Sequence, residues 1–319
     1  MYIYLDIVRD FNCAMCGACC RNDWMVTLDE ESYRRNQEFF AARDDREEFE
    51  AAFTRLTGKM QPGEYAVINK KGGACWFLSP DQSCWLHRQA GHEHLDSVCQ
   101  TFPRYPMDTA RGLELSLSFS CPEVLRLVAR VQPLEIMRSE TPPLAVREDV
   151  PTVAVYPEQR PIGHSLRHYF ELEHHFIDIL QWRGVPIAER LLLLQKTAAG
   201  LDSAEPGDME AARQRLNQTF QNNYMYMDMQ TVPPGTPACF TAEILQEHFL
   251  VNLIFRKIFY LYGLTEAARL LVSFGQRLGD AARPFAAEAA VEAVRRMILE
   301  LELAFGHNRQ ALTRVCRVG

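Results

Sequence analysis

The chain has 319 residues, a formal net charge of -7, 47% apolar and 24% charged residues, and ordinary glycine and proline counts. This composition excludes a disordered or fibrous protein, and the length predicts two domains with enough apolar residues for a sizeable core. The negative charge disfavours sequence-independent binding to nucleic-acid phosphates and suits a cationic or lysine-rich partner. We therefore expect a globular protein that does not bind nucleic acid.

Neither a secretory signal nor a membrane span is predicted. The first 20 residues lack a basic segment followed by an apolar one. The longest apolar stretch, residues 249–264, is interrupted by Asn252, Arg256 and Lys257, which is typical of a buried helix. We expect a cytoplasmic protein without a membrane segment. Disulfides rarely persist in the cytoplasm, so the ten cysteines need another explanation.

The first predicted domain, residues 1–131, is rich in cysteine and contains a few short strands. A capping box at Thr27–Glu30 predicts a charged helix that runs to about Thr57. Strands are predicted at Tyr65–Asn69 and Gly112–Phe119, where leucines on one face of the second strand alternate with Glu114, Ser116 and Ser118 on the other. Pro122 then predicts the start of a helix that ends near Val131.

A proline-rich linker at residues 132–162 is predicted to separate this domain from an all-α domain at residues 163–319. We expect a packed loop at Asn222–Pro237. Apolar periodicity and terminal glycines predict five helices in the second domain, at His164–Trp182, Pro186–Ala199, Ala242–Tyr262, Thr265–Leu278 and Arg283–Phe305. The overall prediction is a mainly α fold: a cysteine-rich metal-binding domain followed by an all-α helical domain.

The densest motif in the sequence is Cys-x2-Cys-x2-Cys-Cys, formed by Cys13, Cys16, Cys19 and Cys20. Two cysteines in a Cys-x2-Cys turn direct their sulfurs to one point, and Gly17 allows backbone amides to face them. Such density indicates metal binding. Side chains of adjacent residues usually diverge, so Cys19 and Cys20 are predicted to serve different sites.

Four further cysteines complete the set, at Cys75, Cys84, Cys99 and Cys121. Four thiolates bind one zinc ion or one 4Fe-4S cluster, so the eight cysteines suit two sites, or one cluster with spare thiols. His87 is a further possible ligand, although a core or surface role is favoured. Soft thiolate ligands permit both iron and zinc.

Two enzyme classes are not supported by the sequence. The spacing of the first cysteines differs from the Cys-x3-Cys-x2-Cys loop typical of radical S-adenosylmethionine enzymes. A glycine-rich loop after a strand, as in Rossmann-like methyltransferases, is also missing from the sequence.

Several polar side chains flank the cysteines and are candidate site residues. Arg104 follows Cys99 closely, and its guanidinium can bind a cofactor carboxylate or offset thiolate charge, the second being favoured. Tyr105 is a candidate cofactor contact, and Asp23 and Glu123 are candidate catalytic carboxylates. Ordinary packing or solvation is the favoured role for each of these three residues.

Together the motifs resemble the flagellin lysine-N-methylase family, whose amino-terminal half overlaps cysteine-cluster proteins that chelate zinc or iron. The resemblance rests on the Cys-x2-Cys-Gly-x-Cys-Cys motif and on four later segments, Cys75-Trp-Phe-Leu, Cys84-x-x-His87, Cys99-x2-Phe-Pro-Arg104 and Ser120-Cys121-Pro-Glu123. It extends into the helical half at Ile179–Arg183 and Glu247–Arg256.

The resemblance implies a cytoplasmic enzyme that transfers a methyl group from S-adenosylmethionine to surface lysines of flagellin and uses a 4Fe-4S cluster. The eight cysteines between Cys13 and Cys121 match the cysteine positions of the family and are its candidate cluster ligands. The resemblance is also the basis for preferring iron over zinc.

Two other functions compete with this one. The first is a metal carrier, sensor or adaptor that binds zinc or iron without catalysis, and the second is an electron carrier.

Overall fold

The structure is a computed structural model that describes residues 1–58, 64–143, 153–202, 208–230 and 240–306. Within these ranges the strands are short, and the longest have six residues. They are β1 (Tyr2–Leu5), β2 (Thr27–Leu28), β3 (Phe53–Arg55), β4 (Ala66–Ile68), β5 (Lys70–Lys71), β6 (Ala74–Cys75), β7 (Arg104–Thr109), β8 (Gly112–Leu117), β9 (Ile136–Ser139) and β10 (Val153–Val155).

The described α-helices are mostly longer towards the carboxyl end of the chain. They are α1 (Ile7–Asp10), α2 (Ala18–Arg21), α3 (Glu30–Ala42), α4 (Arg46–Ala52), α5 (Trp85–Ala90), α6 (Ser97–Thr101), α7 (Pro122–Leu127), α8 (Tyr169–Gln181), α9 (Ile187–Asp202), α10 (Met209–Gln230), α11 (Ala242–Phe255), α12 (Ile258–Tyr262), α13 (Leu264–Ala282) and α14 (Ala287–Leu301).

The prediction of a mainly α fold with a few short strands is therefore confirmed. After residue 156, every regular element in the described part of the chain is helical. None of the described helices is both long enough and apolar enough to cross a membrane.

The largest described sheet has five strands in the order β10-β7-β8-β1-β9. β7 and β8 form an antiparallel hairpin, and β1 lies parallel to β8 with Tyr2 opposite Leu113. Gly112 begins β8 with φ +125, and a Cβ atom there would lie 2.3 Å from the carbonyl oxygen of Met1, so the close approach of β1 requires glycine. The sheet thus joins the first residues of the chain to the segment that precedes Cys121.

The predicted linker contains part of this sheet. β9 pairs with β1 and β10 pairs with β7, so both ends of residues 132–162 are anchored at the sheet edges. Residues 144–152, within the predicted linker, lie outside the described part of the chain. The division into domains at residues 131 and 163 remains a prediction.

The predicted helix after Thr27 begins later and is interrupted. Asp29, rather than Thr27, caps α3 by accepting a hydrogen bond from the Ser32 amide at 2.6 Å, and Thr27 lies in β2. The chain leaves the helix at Asp44, which has φ +59, and after α4 it enters β3. Backbone pairing of β3 with β4 overrides the helical pattern of the sequence.

Three other predicted elements differ in detail. The loop predicted at Asn222–Pro237 is helical as far as Gln230, and residues 231–237 lie outside the described ranges. α9 continues through Gly200 to Asp202 instead of ending at Ala199. The helix predicted at Ala242–Tyr262 is divided into α11 and α12 at Lys257, whose φ of +71 is left-handed.

Buried apolar side chains form two separate groups among the described residues. The first, termed the large core, contains β1, α1, β7, β8, α7 and helices α8–α14. The second, termed the small cluster, lies between Leu28 and Leu95 and is dominated by Phe40, Phe49, Phe53 and Phe77. Cys121 belongs to the large core, whereas Cys75 and Cys84 pack against the small cluster.

Both faces of β8 are buried, so its alternating pattern does not mark a solvent face. Glu114 and Ser116 bind side chains of the helical half: Glu114 accepts a hydrogen bond from Lys257 Nζ at 2.7 Å, and the Ser116 hydroxyl bonds to Asn252. Lys257 also contacts Glu173 at 2.5 Å, and Arg111 binds both glutamates. Glu114, Glu173 and Lys257 are fully buried and Arg111 is 16% exposed, and this charge cluster fixes the sheet against α8 and the carboxyl end of α11.

Candidate metal centre

All eight cysteines between Cys13 and Cys121 line a single cavity of about 780 Å³, termed the cysteine cavity. This volume lies in the range of small-molecule and cofactor sites. Segments far apart in sequence meet here, because Cys13–Cys20, Cys75–Cys84, Cys99 and Cys121 come from separate elements. The remaining two cysteines, Cys239 and Cys316, lie outside the described residues.

The Cys-x2-Cys-x2-Cys-Cys motif is divided by a tight turn at Gly17. Gly17 has φ +63 and precedes α2, and a Cβ atom there would lie 2.8 Å from Leu78 Cδ1 and 3.0 Å from the Gln82 carbonyl oxygen. Glycine is therefore required both by the conformation and by the space. Cys13 and Cys16 lie before this turn, and Cys19 and Cys20 lie on α2 after it.

The other four cysteines lie in short elements or directly next to them. Cys75 ends β6, and its carbonyl oxygen accepts a hydrogen bond from the Leu78 amide at 3.0 Å. Cys84 precedes α5 and forms an isolated β-bridge with Leu78. Cys99 lies in α6, and Cys121 immediately precedes α7.

The side chains of Cys19 and Cys20 converge, which corrects the prediction that they diverge. Their Sγ atoms are 3.9 Å apart. Two thiolates bound at about 2.3 Å to one metal with tetrahedral angles lie about 3.8 Å apart. The pair is therefore spaced as two ligands of one metal would be.

The thiol acidities reflect this crowding. A hydrogen bond with Cys20 lowers the pKa of Cys19 to about 7, and hydrogen bonds with Cys19 and Cys75 raise the pKa of Cys20. Burial raises the pKa of Cys84, and it raises that of Cys121 to about 11. Because buried thiolates are costly without a cation, a bound metal would be needed to keep these groups ionised together.

Cys99 faces the cysteine cavity and is accessible to solvent from it, while protein surrounds its other sides. Burial holds the pKa of this thiol well above its usual range, and the nearby Asp96 carboxylate adds to the effect. A cation in the cavity would reverse both influences.

The residues present suit a metal or a metal–sulfur cluster by their chemistry. Among the described lining residues, Lys70 is the only Lys or Arg side chain, whereas eight thiols and the carboxylates of Asp23, Asp96 and Glu123 are present. Such a lining favours a cationic occupant, and sulfur ligands favour a soft one. No three His, Cys, Asp or Glu side chains of the described residues already form a metal-binding group, so binding would draw the thiols together.

Arg104 and Tyr105, both predicted to contact a cofactor, are not among the residues that line the cavity. They are neighbours on β7, where successive side chains point to opposite faces. The Arg104 guanidinium lies 5.5 Å from the ring of Phe11, which lines the cavity, and burial lowers the pKa of Arg104. The ring of Tyr105 lies 4.2 Å from the guanidinium of Arg256.

The two predicted catalytic carboxylates do line the cavity. The side chain of Glu123 is 15% exposed and pairs with Arg126 at 2.6 Å, which lowers the pKa of Glu123. Asp23 is fully exposed and pairs with Lys70, which lowers its pKa as well. Both groups are ionised at neutral pH and are weak proton acceptors.

Asp96 is a lining residue that the sequence analysis missed. Its side chain is 1% exposed, its Oδ2 caps α6 by accepting from the Val98 amide at 2.9 Å, and burial raises its pKa to about 6. The available signal was an N-cap aspartate three residues before Cys99. Trp24 and Phe102 also line the cavity, and their rings meet edge-to-face at 5.3 Å.

Comparison with known proteins agrees with this picture. Residues 12–120 match the family model CxxCxxCC, described as "Putative zinc- or iron-chelating domain". The matched range includes seven of the cavity cysteines and ends one residue before Cys121. The amino-terminal region is thus similar to cysteine domains of the zinc- or iron-chelating type, as predicted.

Similarity to curated proteins extends further along the chain. It is 22% identical over 247 residues to proteins named Lysine-N-methylase from Salmonella choleraesuis and Salmonella typhimurium, a match that covers 75% of this chain. It is 26% identical over 121 residues to the flagellar biosynthetic protein FliU of Salmonella muenchen, covering 37% of this chain and 70% of that protein. The resemblance to lysine-N-methylases is therefore confirmed.

The match spans 58% of the length of the two Salmonella methylases. No solved structure is significantly similar to this chain.

Proposed function

We propose that this protein transfers methyl groups from S-adenosylmethionine to lysine side chains of a protein substrate, flagellin or a protein like it, at the cysteine cavity. In this proposal the cavity holds a 4Fe-4S cluster bound by thiols of the eight cysteines. The observation that carries the proposal is the convergence of all eight thiols on one cavity, in a chain similar to lysine-N-methylases. A cytoplasmic location fits this chemistry because the thiols must remain reduced.

When bound, the cluster would supply a soft, redox-active iron centre to the cavity. The ligands would come from the cysteines between Cys13 and Cys121. Arg104, behind the ring of Phe11, would offset part of the thiolate charge on the Cys13 side of the cavity. Its role is electrostatic because it does not itself line the cavity.

The lining suits the cationic partners of such a reaction. The sulfonium of S-adenosylmethionine and the ammonium of lysine are both positively charged, and the lining supplies carboxylates and the Trp24–Phe102 aromatic wall. An aromatic face stabilises a desolvated cation by about 0.5–2 kcal/mol. We assign Glu123 to receive the lysine side chain and Asp23, at the exposed rim, to attract it.

The transfer itself makes modest demands on the protein. The lysine ammonium must first lose its proton to water. The lone pair of the amine then forms the new C–N bond while the C–S bond breaks and its electrons remain on sulfur. Because the pKa of Glu123 is lowered, that carboxylate is better suited to bind the ammonium than to accept its proton. Orientation and exclusion of water would supply most of the acceleration.

The direct test uses full-length protein purified without oxygen and S-adenosylmethionine with a labelled methyl group. We expect label on lysines of flagellin, and none on flagellin whose lysines have been chemically blocked. Cys16→Ser should lose the activity, while Cys316→Ser serves as the matched thiol control. Failure to label flagellin or any other lysine-bearing protein would contradict the proposal.

The aromatic wall gives a second test. Trp24→Leu removes the ring and should reduce methyl transfer by about 3- to 30-fold, the range that corresponds to a cation–π contribution of this size. Trp24→Phe keeps an aromatic face and should restore most of the rate. Equal activity in both variants would exclude a cation–π role.

The alternative function is a zinc- or iron-binding carrier, sensor or adaptor without catalysis. It is favoured by the family model, whose description names metal chelation alone. Elemental analysis and absorption distinguish the two: a thiolate-bound zinc protein is colourless, whereas an iron–sulfur protein is brown.

A further inference from the structure

The eight cysteines are divided between two walls of the cysteine cavity. Cys121 is part of the large core, whereas Cys75 and Cys84 pack against the small cluster. Residues of the opening motif approach both walls, because the Gly17 turn separates Cys13 and Cys16 from Cys19 and Cys20.

The segment with Cys13 and Cys16 starts at the wall of the large core. Helix α1 packs against α7, which begins next to Cys121, and Phe11 is buried in the large core two residues before Cys13. Cys13, Cys16 and Cys121 all line the cysteine cavity. Cys13, Cys16 and Cys121 thus form one group of neighbours.

Two features of this group favour a thiolate that binds a metal. The Met15 amide donates a hydrogen bond to Cys13 Sγ at 3.4 Å, the contact by which backbone groups stabilise thiolate ligands. Met15 adopts φ +49, a conformation that is uncommon outside glycine and asparagine and is retained mainly at functional sites.

The other five cysteines form a second group at the wall of the small cluster. Helix α2 packs against β6, and this contact brings Cys19 and Cys20 to Cys75. The Sγ atoms of Cys19 and Cys20 are 3.9 Å apart. Cys84 forms a β-bridge with Leu78, whose amide donates a hydrogen bond to the Cys75 carbonyl oxygen at 3.0 Å, and Cys99 lines the same cavity.

We propose that the cavity contains two unlike thiolate sites: a closed site formed by four of Cys19, Cys20, Cys75, Cys84 and Cys99, and an open site formed by Cys13, Cys16 and Cys121. Four thiolates complete a tetrahedral environment, as in structural sites, whereas three leave a position for an exogenous ligand. The open site takes a small ligand with a soft donor atom. This inference rests on the metal-binding part of the proposed function and is independent of methyl transfer.

The test compares serine variants of the full-length chain, prepared without oxygen, by iron, zinc and sulfide content and by absorption spectrum. Cys16→Ser and Cys121→Ser should lose the same fraction of the bound metal and keep the remainder. Cys20→Ser and Cys75→Ser should lose the fraction of the bound metal that Cys16→Ser and Cys121→Ser retain. Cys316→Ser, a matched substitution outside both groups, should retain the full content.

Titration with cyanide, a small soft-donor probe, tests which site is open. Its spectral change should appear in the wild type, persist in Cys316→Ser and be absent in Cys16→Ser. If Cys75→Ser unfolds the small cluster, Cys16→Ser and Cys121→Ser still test whether there are two sites. Cys121 belongs to the large core, which is separate from the small cluster.

The inference is overturned if Cys16→Ser or Cys121→Ser loses all of the metal or none of it, or if cyanide changes the component that Cys16→Ser retains. A fully loaded protein with both sites but no methyl transfer would contradict the proposed function while leaving the two-site inference intact.

Discussion

The small cluster and the large core hold their parts of the chain together by different means. The small cluster consists of a few aromatic and aliphatic side chains beneath strands of two or three residues. Among the described residues, the large core includes nine helices and a sheet and adds buried ion pairs such as Lys257 with Glu114 and Glu173. A small core seldom stabilises a domain alone, so the small cluster should depend on its metal.

Removing the metal should have the largest effect, and it should be confined to one region. Binding of structural zinc to small thiolate sites contributes an apparent free energy of about 10–16 kcal/mol to folding. This exceeds the total free energy of unfolding of most domains. After treatment with a chelator, peptides from residues 12–101 should lose protection in amide hydrogen exchange. Peptides from residues 169–301 should keep it. Unchanged protection around the small cluster would show that this region does not depend on the metal more than the large core does.

Removing a buried charge from the large core should lower the stability of the protein without changing its metal content. Lys257→Met removes the fully buried cation between Glu114 and Glu173, while Arg111 still pairs with both. We expect a loss of about 3–5 kcal/mol in the free energy of unfolding. The metal content should stay at the wild-type value. Chemical denaturation and elemental analysis measure the two quantities.

The matched control is Arg269→Met, which breaks the exposed pair of Arg269 with Glu266 and should change stability by about 0–1 kcal/mol. Equal losses in the two variants would show that burial of the Lys257 cluster does not determine its contribution.

A smaller and pH-dependent effect is expected at His175 in α8. Burial lowers the pKa of His175 to about 4 from a usual value near 6.5, and its ring stacks on Phe220 at 3.9 Å. Since the unfolded chain binds the proton more tightly, folding stability should fall as the pH decreases from about 6.5 to about 4. The full contribution is about 3 kcal/mol.

Denaturation of the wild type and of His175→Gln across this pH range measures the effect, because glutamine does not titrate. The difference in stability between the two proteins should shrink as the pH falls. A difference that is independent of pH would contradict neutral His175 in the folded protein.

Helices and strands that depend on the periodicity of neighbouring residues were predicted well from the sequence. Apolar periodicity predicted the helices around Tyr169–Gln181 and Leu264–Ala282, and alternation predicted β8. The density of cysteines predicted the region that matches the zinc- or iron-chelating family model.

Features that depend on distant pairing were missed. β1 pairs with β8 more than 100 residues away, and β9 and β10 lie in a segment whose prolines indicated a linker. Local propensity also predicted one helix to Thr57, where pairing with β4 produces β3 instead. Arg104 and Tyr105 are neighbours on β7, so their side chains point to opposite faces of the sheet. Their spacing from Cys99 in the sequence does not show this difference.

Iron, zinc and acid-labile sulfide analysis of the full-length chain purified without oxygen tests whether the cysteine cavity holds an iron–sulfur cluster. We expect a brown protein with iron and sulfide in equal amounts, about four of each per 4Fe-4S cluster. Cys316→Ser should keep both, and a variant with all eight cavity cysteines replaced by serine should lose both. A colourless wild-type protein that contains zinc without sulfide would contradict the claim.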